Sequence, residues 1–201
     1  MLINVEIRFW KHLLFFPILA AVWGIAILIL KRTPDYKKGD KLNIISIALT
    51  ELFTFLLYVR YGWNVDLMRG IALNAVALFG SVSDIRKREI PDVISIMVFL
   101  LGFRQLNMMQ ILTAMLSAIG AFMFMLVCAV LSNNKIGGAD VKYITAWFYV
   151  SGAYSGIIGL LAGLVLSLIG TAVRNIATKN KDKYLPLIPY LSAGFLITYL
   201  F

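Results

Sequence analysis

Two aspartates stand out in an otherwise apolar chain because of what surrounds them. Asp84 lies in GSVSDIRKREIPD and Asp140 in NNKIGGADVKYIT, 56 residues later. Two carboxylates brought within hydrogen-bonding distance cannot both ionise cheaply, so such a pair shares a proton. One member then serves as a base toward water and the other as an acid toward the oxygen of a peptide carbonyl. This chemistry needs no metal, no cofactor and no nucleophilic side chain, and the pair titrates as a unit. Gly137, Gly138 and Ala139 strip bulk from the backbone ahead of Asp140, so the chain there can turn sharply and admit another backbone. Pro91 ends the loop after Asp84 and sets the start of the next apolar segment. Taken alone, either aspartate also suits a helix cap, Asp140 for a helix beginning at Val141.

The remaining chemistry-bearing residues lead elsewhere. Glu51, in IALTELFTFLL, sits in the body of an apolar segment and reads as a buried hydrogen-bond partner that steadies neighbouring spans. Glu6, Asp35, Asp40, Asp66 and Asp182 fall in tails or loops and read as solvated charge. His12, the single histidine, reads as an interfacial residue, so no serine triad can form. Trp10, Trp23, Trp63 and Trp147 read as interface anchors or packing. The lone cysteine, Cys128, excludes an internal disulfide and a cysteine-built zinc site, and no metal site is expected.

The elements that must position the aspartates are membrane helices. Of 201 residues, 61% are hydrophobic and 14% charged, with a mean hydropathy of +0.86. Soluble domains carry about 25% charged residues, and a spanning helix needs roughly 20 apolar ones. The pattern predicts an all-α polytopic membrane protein forming a single integral membrane domain over 1–201. Its apolar segments run over 13–30, 42–59, 67–83, 91–103, 107–131, 141–150, 154–173 and 184–201. The first lacks a small-residue cleavage site and reads as a retained helix. Segments 91–103 and 141–150 are short for a perpendicular crossing. One long bent span over 141–173 is the alternative to two, but Ser151, Gly152, Ser155 and Gly156 favour a tight hairpin.

Eight spans distribute the charge unevenly. Fourteen Lys and Arg fall on one side and five on the other, which puts the N-terminus outside and the GGAD loop in the cytoplasm. Merging the sixth and seventh spans would send the basic cluster from Arg174 to Lys183 outward, so eight is the better count. The net charge of +9 is thereby explained by cytoplasmic loops of a multi-pass protein in the inner or cytoplasmic membrane. Lipid, and not nucleic acid, is its surrounding partner.

SDIRKREIPD followed by GGADVK resembles the paired motifs of type IV prepilin peptidases, members of the GxGD class of intramembrane aspartyl proteases. The resemblance implies that Asp84, before Ile90-Pro91, and Asp140, before Val141-Lys142, are the catalytic pair. IALTELFTFLLYVRYGW looks like the family's second-span region, which carries a glutamate. PLIPYLSAG resembles the Pro-rich opening of the last helix, making Pro186 and Pro189 shapers of the site. The likeness covers most of the chain from about Glu51 onward. Two departures stand beside it. Ala139 replaces the second glycine of GxGD, which is tolerable unless the backbone there has a positive φ. The family's cysteine-rich insertion after the first span, associated with N-methylation, is reduced to Lys31–Lys41 without cysteine, which speaks against methyltransferase activity.

The resemblance implies a prepilin-like substrate with a hydrophobic N-terminal helix and a short basic leader, cut at the cytoplasmic membrane face. Glu89 and Asp92 are the local acids available to receive that leader near a basic surface. Two rival readings stay open: a proton-coupled transporter using Glu51, Asp84 and Asp140, and a catalytically silent pilin-assembly factor.

Overall fold

The computed structural model describes residues 15–32, 40–103, 107–132, 136–177 and 186–201. Trp10, His12 and nine of the 19 Lys and Arg residues lie outside these. Every regular element among the described residues is a helix: α1 (Phe15–Arg32), α2 (Lys41–Tyr61), α3 (Val65–Lys87), α4 (Asp92–Gly102), α5 (Met108–Leu131), α6 (Gly138–Ala177) and α7 (Ile188–Leu200). By length and apolar character α2, α3, α5 and α6 suffice to cross a membrane, whereas α4 and α7 are shorter apolar helices. Leu112, Leu116, Ile119, Met123 and Val127 of α5 are all exposed, a surface that a bilayer covers and water would not tolerate.

The chain divides into two compact units, Met1–Phe79 and Gly80–Phe201, with the division falling inside α3. In the first unit α1 packs on α2, where the Phe15 and Tyr58 rings stack at 3.8 Å. Asp40 caps α2 by accepting the Leu42 N–H, and Gly62 closes it with φ 59°. Along α2, Asn43, Ser46, Thr50 and Thr54 are buried, and Asn74 donates to the Thr50 carbonyl and the Thr54 hydroxyl. These are the polar contacts expected of Glu51. Its own Oε1 is buried without a hydrogen-bond partner among the described residues.

The second unit is built around α6 and α7. Helix α6 breaks at Gly152, whose φ of 76° and ψ of 176° belong to a region essentially reserved for glycine. A continuous helix would separate residues 148 and 156 by about 12 Å. Instead, a Cβ placed on Gly156 would lie 2.9 Å from the Phe148 ring. The chain therefore doubles back at Gly152 into two arms, 138–151 and 153–177, in keeping with the breakers around that position.

Both arms pack on α7. Contacts Tyr143–Ser192 and Trp147–Phe195 run parallel along the first arm. Along the second arm Gly159 lies against Phe195 and Thr198, Gly163 against Leu191, and Gly170 against Tyr190, an antiparallel order. Glycines 159 and 163 with Gly194 let the two backbones touch, as closely packed membrane helices do. Helix α5 supports the first arm through Ser117, which donates to the Phe148 carbonyl at 3.0 Å. Helix α4 runs beside the same arm, with Phe99 stacked on Tyr149 at 4.2 Å and Gly102 pressed against the Tyr149 ring.

Helix α3 extends beyond the apolar segment 67–83, through Lys87. Arg86 and Lys87 suit a helix C-terminus, so apolarity ends before helicity does. Arg88, left-handed at φ 57°, then stops the helix. The seam between α6 and α7 gives the first expected outcome. A Cβ on Gly194 would stand 2.8 Å from the Gly163 Cα, so Gly194→Ala should destabilise the protein by about 1–3 kcal/mol. Thermal denaturation in detergent measures it, and an unchanged Tm would contradict the close seam.

Candidate active site

Asp84 occupies the last turn of α3 and is buried, with 8% of its surface exposed. Its Oδ2 accepts the Ile188 N–H at 3.0 Å, and the neighbouring Leu187 amide also stabilises the carboxylate charge. These are the opening amides of α7. Proline has no N–H, so from Pro186 to Pro189 the chain owns just two amide donors, and both go to Asp84. Pro189 near the helix start is also preset to helical φ. The PLIP segment is thus a socket for one carboxylate, a more specific role than shaping the site.

Asp140 reaches the same end of the unit from another helix. Helix α6 begins at Gly138, three residues before the expected start at Val141, so Asp140 lies within the first turn and does not cap it. Gly137 takes the cap position, its carbonyl accepting the Asp140 and Val141 amides at 3.1 and 3.3 Å. The Asp140 carboxylate curls back toward Gly137, whose amide stabilises its charge, as an acid at the third helical position can. Asp140 lies close enough to Asp84 for the two charges to interact. Carboxylates from α3 and α6, far apart in sequence, are therefore neighbours, each held by backbone amides at the start of a helix.

The motif residues divide by role. Ala139 is helical without a positive φ, so the departure from glycine costs nothing in backbone geometry. Pro91 precedes α4 as its cap residue with no side-chain cap bond. Ser83 ties the intervening turn by donating to the Glu89 carbonyl at 3.0 Å, while the Glu89 side chain is exposed. Asp92, expected to be available to a basic partner, is paired with Lys142 at 2.8 Å across α4 and α6. Both side chains are more than half exposed, so the pair contributes roughly 0–1 kcal/mol. Glu51 belongs to the first unit. The motifs in the sequence do not single out Tyr143 or Ser192, although Tyr143 is fully buried beside the aspartates and its hydroxyl meets Ser192 Oγ at 2.6 Å. The signal that could have found Tyr143 is spacing: it follows Asp140 by three residues and hence shares its helix face.

The two glycines before Asp140 differ in what they protect. A Cβ on Gly137 would lie 3.1 Å from Asp140 Oδ2, whereas one on Gly138 meets nothing within 4 Å. Gly138→Ala should stabilise the helix start by about 0.5–1 kcal/mol. Gly137→Ala should yield no gain or a loss, because it crowds the carboxylate and removes a favoured cap. Thermal denaturation of the two variants in parallel checks the contrast.

Residues 71–172 of this chain match the type IV leader peptidase family. A prepilin leader peptidase/N-methyltransferase of Bacillus subtilis (strain 168) is 27% identical over 154 residues, covering 71% of this chain and 59% of that protein. The chain thus spans less than two thirds of that relative's length. No solved structure matches. Because the matched region takes in half of the chain and contains both the Asp84 and the Asp140 motifs, the chain belongs to the type IV leader peptidase family.

Proposed function

We propose that the chain is a membrane aspartic endopeptidase that removes a short basic leader from prepilin-like precursors at the cytoplasmic membrane face. The observation that carries this reading is that Asp84 and Asp140, from α3 and α6, lie at one end of one unit, near enough for their charges to interact. Asp84 accepts the Ile188 amide and has the Leu187 amide and the Arg88 charge acting on it, so it is the better equipped to carry negative charge. In the mechanism proposed, Asp84 takes a proton from water as the water attacks the scissile carbonyl, and Asp140 donates a proton to the carbonyl oxygen. Collapse of the tetrahedral intermediate returns a proton to the leaving amine. No metal or cofactor enters these steps.

Counting the arms of α6 separately, the described helices supply eight segments, which supports an eight-span topology. With the N-terminus outside, the charge bias puts the Asp84 and Asp140 end in the cytoplasm. A methyltransferase activity does not form part of the proposal, since Cys128 is the only cysteine.

The direct test uses purified protein in detergent and a prepilin-like peptide with a basic leader. Cleavage that persists in chelators should fall by about 10²–10⁴-fold in Asp84→Asn and again in Asp140→Asn. Full-speed cleavage by either folded variant rejects the dyad, and binding without cleavage by the native protein favours the silent assembly factor. Leader recognition has its own check. Reversing Glu89 and Asp92 together to lysine should raise KM for a lysine-rich leader, and an unchanged KM removes both acids from the proposal.

A further inference from the structure

Below the two aspartates lies a second tier of polar groups built on the same three helices. Ser81 precedes Asp84 by three residues on α3, Tyr143 follows Asp140 by three on α6, and Ser192 follows Ile188 by four on α7. Each hydroxyl therefore shares a helix face with a group of the upper tier, one turn away. The hydroxyls meet: Tyr143 Oη lies 2.6 Å from Ser192 Oγ, and Ser81 Oγ lies 3.4 Å from Ser192 Oγ. Tyr143 and Ser192 are buried, with the Trp147 ring beside Tyr143 and Phe195 stacked on Trp147.

Packing alone does not require these oxygens. Phenylalanine at 143 and alanine at 192 would fill the same volumes less one oxygen each, without polar groups that need partners in an apolar interior. What the hydroxyls add is direction. Helices joined only by apolar contacts can slide or rotate at small cost, whereas a short hydrogen bond tolerates little displacement. The upper tier joins α3 to α7 through Asp84 and the Ile188 amide. The Asp140 carboxylate takes its amide from Gly137, beside its own helix, and not from α7. The connection from Asp140 to α7 runs through Tyr143.

We propose that Tyr143 and Ser192 are positioning residues that set the separation of the two carboxylates, with α7 as the common template for both. The inference rests on the dyad reading above. In this role Tyr143 and Ser192 act through the helices: they hold the rotation and height of α6 against the helix that already grips Asp84.

The test measures kcat and KM for peptide cleavage in Tyr143→Phe, Ser192→Ala, the double variant and Ser192→Thr, with Asp84→Asn and Asp140→Asn as references. Displacement of a reacting group by about 1 Å costs on the order of 10²-fold. Tyr143→Phe and Ser192→Ala should each lower kcat by roughly 10- to 100-fold on that basis, with KM unchanged. The double variant should be no slower than the slower single one, because both remove the same link. Ser192→Thr, which keeps a hydroxyl, should restore most of the rate. A kcat within twofold of native in both single variants overturns the inference, as do losses that simply multiply in the double variant. If one single variant fails to fold, the other reads the same link from the opposite helix. Should Asp84→Asn or Asp140→Asn retain full activity, the dyad reading falls and this inference with it. Inactive aspartate variants beside fully active Tyr143→Phe and Ser192→Ala would overturn the positioning role alone.

Discussion

The second unit depends on the contact between the Asp84 carboxylate and the opening amides of α7. Each side of this contact needs the other. The first N–H groups of any helix lack partners within the helix, and those of α7 emerge beside Ile188, which is fully buried. A buried carboxylate is costly unless donors surround it. Leaving either side unpaired costs about 1–3 kcal/mol, more for the charged partner. The prolines at 186 and 189 sharpen the arrangement, because they add no competing donors and restrict how the segment can bend.

Such a contact is useful only if α7 itself is held, and the packing of α6 does this on two sides. The second arm lies against α7 through glycines 159, 163 and 194, where absent side chains bring backbone to backbone. The first arm uses large groups, Trp147 stacked on Phe195 with the rings 2° from coplanar. Because Gly152 folds the arms together, a single helix with one break grips α7 from both flanks. Asp140 stands at the beginning of that helix and Asp84 is anchored to the beginning of α7. The geometry of the pair is therefore inherited from the α6–α7 packing, and α3 arrives from outside this sandwich to deliver its aspartate.

Much of this is legible in the residues. Apolar runs locate the helices, the breakers around Gly152 locate the turn, and the settings of Asp84 and Asp140 mark them off from ordinary surface charge. The segment ends are less legible. Hydropathy stops α3 at 83 because Asp84, Arg86 and Lys87 are polar, yet these residues favour a helix C-terminus or tolerate it, and the helix continues. Residue type starts α6 too late for the opposite reason: glycines 137 and 138 read as loop, but Gly138 is helical. Long-range partners are illegible. Nothing local to Lys142 indicates a pair with Asp92 fifty residues earlier. Tyr143 is one aromatic among many until the fold brings Ser192 to its hydroxyl. Nor does anything local to Asn74 indicate its hydrogen bonds to Thr50 and Thr54, 24 and 20 residues earlier.

The ends of the helices explain why the two aspartates can be both anchored and available. Helices α4, α6 and α7 all begin at the end where Asp84 and Asp140 lie, and each start carries a partial positive charge. Asp92 opens α4, Asp140 sits in the first turn of α6, and Asp84 faces the start of α7. Meanwhile α3 ends there with Arg86 and Lys87, the charges its own terminus prefers. Exposure separates the acids. Asp92 is 64% exposed and takes a lysine as partner, which leaves it little to offer chemically beyond a surface ion pair. Asp84 and Asp140 are buried deeper and lie against backbone amides, with the Arg88 charge also acting on Asp84. A carboxylate offers about four acceptor sites, and the Ile188 amide occupies one on Asp84. A salt bridge to arginine in the same place would consume the two oxygens together and fix the charge. Backbone amides hold each group in position while leaving lone pairs free, and that remainder is what a shared proton and a water molecule would need.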